Sequence, residues 1–410
     1  MGSKKEKMEW KLALSDIDFG EDEYEGVETV LQSNWLTMGE VTLRFELEFA
    51  SYLGVKHAIA VNSGTAALHL AHQALGLKEG DEVICPSLTF VATANSIIYT
   101  RSKPIFAEIT SLDVLNISPD DIKSRISDRT RAILVVHYAG FPCDMKRIME
   151  IAKNYNLFVV EDAAHAPGAE YKSKSKVEGS RQSSKDNSRS TIHDTHAYKV
   201  GSIGNIGCFS FFSNKNLVTG EGGMIVTDND KLAENIKICR SHGMTSLTLD
   251  RHKGHSYSYD VIDLGFNYRI DEIRAVLGLA QLKKLDKNNE KRRRLSSLYK
   301  EKLYNIKEIS VPFSNFEGIS SHHIFPILLS GRIDRENSMQ YMREKGIQTS
   351  IHYPPIHLLS YYKKLLGLND SLPLTENVGR REITLPLFPK MDEEDVDYVV
   401  ESIKEYLSQS

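Results

Sequence analysis

Short, continuously apolar runs alternate along this chain with longer stretches in which apolar side chains return every third or fourth position. Near the start, Tyr24, Val27, Val30 and Leu31 mark one helix and Phe45, Phe49 and Leu53 a second, at spacings near one helical turn. The loop between them, Trp35-Leu36-Thr37-Met38-Gly39, exposes apolar groups that either pack locally or cover a site. His57-Ala58-Ile59-Ala60-Val61 has the composition of a buried strand, and the small residues after it open a helix. Further strands are expected at 82–85, 104–107, 132–137 and 157–160, with helices after Phe90, at 120–126 and at 144–154. Such alternation predicts an α/β fold: a mostly parallel sheet with helices on both faces. The ligand of such a sheet lies beyond the carboxyl ends of its strands.

Residues 207–227 break the pattern, reading as strand, irregular loop, tight glycine turn at 220–223 and second strand. A helix at 231–240 follows, then a long one at 271–305, apolar nearly all round over 275–282 and heavily charged over 287–294. A strand at 322–329, helices at 335–345 and 393–407, and an apolar run at 383–387 make up a smaller α+β unit. The expected division is a flexible tail at 1–11, a large domain at 12–285 and a small domain at 286–410. Between 172 and 197 apolar residues nearly vanish while Lys, Arg and Ser accumulate, which predicts an inserted, solvated loop.

Bulk composition narrows the class. The 410 residues are 41% hydrophobic and 26% charged, the profile of a soluble globular protein with a large core. A formal net charge of −4 supplies no field that would gather nucleic acid or an anionic membrane. Apolar runs stay short of the roughly 18 residues of a membrane helix, and the amino terminus lacks the apolar core of a signal peptide. The four cysteines, Cys85, Cys143, Cys208 and Cys239, have no Cys-x-x-Cys spacing. A cytoplasmic protein with no disulfide framework and no metal site is therefore expected.

Four local features carry candidate chemistry. Gly64, Thr65 and Ala66 open a helix whose first-turn N–H groups and threonine hydroxyl form an anion cradle, although Ser63 as a plain cap explains the same residues. Asp162 closes a strand among small neighbours, placed either to pair with a buried cation or to cap a helix. Phe90 sits on a loop at the sheet edge. Lys215 lies on an irregular loop with Ser210 and Thr219 nearby and glycines following. One cofactor uses all four, pyridoxal 5′-phosphate (PLP): its phosphate at residues 64–66 and Ser210, its ring on Phe90, its pyridinium proton at Asp162, its aldehyde on the Lys215 amine.

These stretches, with Glu161-Asp162-Ala163-Ala164-His165, Lys215-Asn216, Gly220-Glu221-Gly222-Gly223, Asn267-Tyr268-Arg269 and His352-Tyr353-Pro354-Pro355-Ile356-His357, make the chain resemble the DegT-type sugar-nucleotide aminotransferases. The resemblance covers nearly the whole chain. It implies the fold type I architecture of PLP-dependent transferases, a Schiff base on Lys215, Asp162 as pyridinium partner and His165 near the cofactor's 3-oxygen. It further implies a homodimer with shared sites, in which Asn267 reaches the phosphate of the other subunit's cofactor. Members of the family move an amino group from L-glutamate to a keto-sugar on a nucleoside diphosphate. Met38, His352, Tyr353 and His357 fall in stretches that match its substrate segments. The 219–223 and 352–357 stretches look more like members that aminate sugar C4, of the perosamine type, than those acting at C3. A sugar dehydratase of the same fold would carry histidine in place of Lys215. A non-catalytic regulator would lack part of the constellation. The insertion at 172–197 departs from the family pattern, and its basic residues are either a solvated surface or a contact to the substrate diphosphate.

Overall fold

The computed structural model describes residues 10–173, 196–245, 258–367 and 371–409. Seven strands form the principal sheet: β1 (His57–Val61), β2 (Glu82–Pro86), β3 (Lys103–Ala107), β4 (Thr130–Val136), β5 (Phe158–Asp162), β8 (Ile206–Ser210) and β9 (Gly223–Thr227). Their order is β1-β9-β8-β5-β4-β2-β3. The run β3-β2-β4-β5-β8 is parallel, and β9 lies antiparallel to both β8 and β1. Strands β1, β8, β5, β4 and β2 therefore all end on the same edge. A hairpin of β6 (Glu170–Ser173) and β7 (His196–Lys199) stands apart. Lys172 pairs with Ala197 in it, so the two ends of the expected basic loop are strand; residues 174–195 lie outside the described residues.

The continuous apolar runs are explained by burial on both faces. Along β1, Ile59 and Val61 join one cluster with Leu70, Ile97 and Ile236, while Ala58 and Ala60 join another with Phe45, Phe49 and Phe209. That two-residue period assigns the clusters to opposite faces of the sheet. Helices α3 (Gly64–Ala74), α4 (Ala92–Tyr99) and α7 (Asp230–Arg240) cover the first face at this end. The second is covered by α2 (Glu40–Leu53) and, farther along, by α5 (Pro119–Ser124) and α6 (Met145–Tyr155). Helix α1 (Glu21–Gln32) packs outside, against α8 (Glu272–Leu303).

Asp286, where the small domain is expected to begin, lies inside α8. The first half of α8 sends Ala275, Leu279 and Leu285 into the large core; the second half sends Leu295, Tyr299 and Leu303 into another. This other core belongs to a three-stranded sheet of β10 (Ile309–Ser310), β11 (Phe325–Leu329) and β12 (Glu382–Leu385), with α9 (Arg335–Glu344) and α12 (Glu393–Gln409). Leu12 is buried in it, and Lys11 sets its ammonium 3.5 Å above the Tyr398 ring. The short α10 (Ser360–Leu366) and α11 (Pro373–Arg381) complete the order. Strand β11 begins three residues later than expected. The N–H groups of Ser321 and His323 bond instead to Gly140 and Ala139 at the large sheet, and His322 turns through a φ of 46°. That detour directs His323 toward the strand ends. No described helix is long and apolar enough to cross a membrane.

Candidate active site

A cavity of about 570 Å³ opens beyond the shared carboxyl edge, within the span of roughly 300–1,000 Å³ usual for small-ligand sites. Each strand delivers a part of its wall. After β1 come Ser63, Gly64 and Thr65; after β2, Thr89 and Phe90; after β5, Ala164 and His165 beside Asp162; after β8, Asn214 and Lys215 beside Ser210. Ser350, Ile351, His352 and Tyr353 close it from the small sheet's side. Glycine permits the crowding here. A Cβ on Gly64 would lie 2.7 Å from that of Ser210, and one on Gly223 would lie 2.6 Å from the Ser63 carbonyl oxygen. Only side-chain-free positions let the start of α3 lie across β8 and β9.

The start of α3 fits both sequence readings at once. Ser63 caps it, its Oγ accepting the Ala66 N–H at 3.1 Å. Gly64 and Thr65 face the cavity from the first turn, where amides have no partner within the helix. Ala66 is buried behind them, its amide already committed to Ser63.

Asp162 is buried at the floor. Its Oδ2 accepts from the Thr93 hydroxyl and its Oδ1 from the Ala164 N–H, both at 3.1 Å. Burial raises its carboxyl above the ordinary range, opposed by those donors and by the Lys215 charge. Lys215 is half-buried and lines the cavity. Removal from water pushes its amine down to about 8, with Asp162 pulling the other way. His165 places Nε2 3.0 Å from the Tyr353 hydroxyl, while its buried Nδ1 has no partner among the described residues. Burial first, then Lys215 and His352, hold its ring well below the usual histidine range. Tyr353 also stands 5.9 Å, ring to ring, from the exposed Phe90.

The residues that present His352 and Tyr353 come from elsewhere in the chain. Glu382 accepts the His352 N–H at 2.7 Å, Thr384 meets His352 Nδ1 at 2.8 Å, and the Tyr138 hydroxyl donates to the His352 carbonyl. Burial raises the Glu382 carboxyl to about 8 and, with Lys215, depresses His352 to about 4.

Gly64, Thr65, Phe90, Asp162, His165, Ser210, Lys215, His352 and Tyr353 thus gather around one space. Four other expected residues do not line it. Met38, in the α1–α2 loop, is buried, and Ala66 is buried as described. Asn267 is exposed, its carbonyl taking the Asn62 amide at 3.3 Å. His357 turns inward on a short 3-10 turn and binds Ser87 Oγ at 2.7 Å through Nδ1. Two contributors escape the sequence reading, Thr93 and His323, whose Nε2 lies 3.4 Å from Lys215 Nζ; Asn216, quoted there only within a motif, stands behind His323. A threonine one helical turn past Phe90 was the available signal for the first. Nothing local flags His323.

The residues present fit PLP on the structure's own terms. A buried carboxylate and a partly desolvated amine line one cavity with a first-turn cradle, and His165, which lines it too, keeps a buried imidazole nitrogen without a partner among the described residues.

Comparison with known proteins agrees. GDP-perosamine synthase of Escherichia coli O157:H7 is 36% identical over 387 residues, covering 94% of this chain and 96% of that protein. The solved structure of Helicobacter pylori PseC, an aminotransferase involved in the biosynthesis of pseudoaminic acid, superposes with a TM-score of 0.86 at 29% identity, covering 97% of this chain and all of that one. Spr1654 from Streptococcus pneumoniae, solved in its PLP form, gives a TM-score of 0.83 at 27% identity over 97% of this chain and 98% of its own. The sequence profile of the DegT/DnrJ/EryC1/StrS aminotransferases matches residues 18–404. With its fold type I architecture and a match over nearly its whole length, the chain belongs to this PLP-dependent aminotransferase family.

Proposed function

We propose that the protein moves an amino group from L-glutamate to a keto-deoxysugar carried on a nucleoside diphosphate, at sugar C4. The observation that carries the reading is Lys215, an amine held near neutrality by burial in the one cavity that also holds Asp162 and the start of α3. Bound there, PLP delocalises the electron pair left when the substrate carbon loses its proton and stores the amino group between the two half-reactions. Gly64, Thr65 and Ser210 would hold its phosphate, Phe90 its ring face, and Asp162 the proton of its pyridinium nitrogen. Lys215 Nζ is the covalent anchor and, once released, the group that takes the proton from the glutamate Cα and returns it on the far side of the transfer. A pKa of about 8 leaves a useful fraction of this amine unprotonated at neutral pH. His352 and Tyr353, at the mouth, would meet the sugar.

The likeness to GDP-perosamine synthase supports amination at C4. Exposed Val261, Ile262 and Leu264, beside Asn267, suit a homodimer in which Asn267 serves the partner's site; sedimentation equilibrium should then give twice the 46.3 kDa chain mass. A cytoplasmic setting matches the soluble nucleotide sugars it would use. The direct test is incubation with L-glutamate and a panel of nucleoside-diphosphate keto-sugars. Formation of 2-oxoglutarate with a 4-amino sugar by NMR is the expected result, and a 3-amino product would overturn the C4 assignment. Asp162→Asn should retain the fold but lower turnover about 100-fold or more by removing the charge opposite the pyridinium. Turnover within a few-fold of wild type would remove Asp162 from that role.

A further inference from the structure

Behind Lys215 runs a chain of buried side chains whose hydrogen-bond direction is fixed from its far end. The Pro167 and Ser321 carbonyl oxygens can only accept. Asn289 Nδ2 donates to Pro167 O at 2.9 Å, which turns Asn289 Oδ1 toward Asn216. Asn216 Nδ2 donates to that oxygen and to Ser321 O, both at 2.8 Å. Asn216 Oδ1 is then the atom that faces His323 Nδ1, at 2.9 Å, and an oxygen there requires a proton on Nδ1. A neutral imidazole protonated at Nδ1 has only a lone pair at Nε2, the atom 3.4 Å from Lys215 Nζ. Asn216, Asn289 and His323 are 5%, 2% and 3% exposed, so bulk water does not compete for these bonds.

We propose that His323 is the positioning residue of Lys215: fixed in its Nδ1–H tautomer by Asn216 and Asn289, it accepts one N–H of the amine and aims the remainder of Nζ into the cavity. The assignment rests on the role given to Lys215 above. It explains why a side chain with four rotatable bonds would return to one place each time it is released. Four further titratable groups face the pair: Asp162 at the end of β5, His165 beyond it, His352 from the segment after α9, and Arg292 of α8, whose Nη1 donates to the His323 carbonyl at 3.3 Å. Burial first, then His165 and Lys215, hold the His323 ring well below the usual histidine range, so it stays a neutral acceptor at neutral pH.

The test reads the apoprotein. An acceptor favours the charged ammonium over the neutral amine, because charge-assisted hydrogen bonds are the stronger. His323→Leu should therefore lower the Lys215 pKa by about one unit, followed as the pH dependence of acylation at Lys215 by mass spectrometry. His323→Gln, which keeps an acceptor at the Nε2 position, should stay within about half a unit of wild type. In wild-type protein labelled with ¹⁵N-histidine, the His323 signal, identified by its loss in His323→Gln, should show a protonated Nδ1 and a bare Nε2. A proton found on Nε2, or a Lys215 titration unmoved in His323→Leu, would overturn the proposal. In the loaded enzyme His323→Leu should lower kcat about tenfold and leave the glutamate KM unchanged; a rise in KM alone would count against it. Failure of the wild type to transaminate would remove the proposed function and leave the tautomer and titration results standing.

Discussion

Lys215→Ala is expected to abolish transamination, lowering turnover by about 10⁴-fold or more, since in the proposed function this residue is both covalent anchor and proton carrier. The sugar-dependent release of 2-oxoglutarate measures it, and a normal rate would end the assignment. The same lysine should cost the empty protein stability. Its pKa falls from 10.5 in an ordinary setting to about 8 in the fold, chiefly through burial. The folded state therefore binds the proton less well than the unfolded chain. The penalty is fully present below about 8 and fades as pH rises toward 10.5. Lys215→Met, which keeps the length and drops the charge, should raise apoprotein stability by about 2 kcal/mol at neutral pH, less than the full shift because the amine meets cavity water. Urea unfolding at neutral and at strongly alkaline pH reads the difference, which should vanish at the alkaline end.

The second large effect is on folding. Glu161, next to Asp162, is wholly buried and makes no contact with the cavity. Its Oε1 accepts from the Ile203 and Gly204 amides at 2.7 and 2.6 Å; its Oε2 accepts from Gly201 at 2.9 Å and meets His137 Nε2 at 3.1 Å. His137 Nδ1 takes the Cys143 amide, so its Nε2 is the donor. Glu161→Gln keeps the shape but turns an NH₂ against donors, and should cost about 3 kcal/mol in denaturant unfolding. A loss below about 1 kcal/mol would show that the loop 200–205 does not depend on this carboxylate. Burial raises the Glu161 carboxyl, yet the bonds from His137, Gly204 and Gly201 bring it net below its ordinary 4.5. Its contribution is thus complete above 4.5 and lost as pH falls through the folded value, so variant and wild type should converge in acid.

Much of this was legible because the local signal and the global outcome coincide. The strand at residues 57–61 is bounded where its apolar run is bounded, and Asp162 stands at a strand's carboxyl end, the edge where sheets of this kind bind ligands. Errors arose where tertiary contacts overrule neighbours in sequence. His357 follows Tyr353 closely, yet one 3-10 turn separates a cavity residue from one buried on Ser87. The apolar run 322–329 reads as uninterrupted strand, but its first residues bond to the large sheet. His323 owes its chemistry to Asn216 and Asn289, 107 and 34 positions distant, and no periodicity links them. Met38, on a loop that could have covered a site, and Asn267, implied by resemblance, are not brought by one chain to its own cavity.

Helix α8 has a mechanical consequence. Its 32 residues, about 48 Å at 1.5 Å per residue, contain no proline and run from the large core to the small one without a break. A rod of that kind has no joint where the two units meet. Any rocking of the small sheet must carry Asn289 with it, and Asn289 is the anchor of the hydrogen bonds that end at Lys215. The seating of the small sheet and the aim of the amine then hang on one shaft.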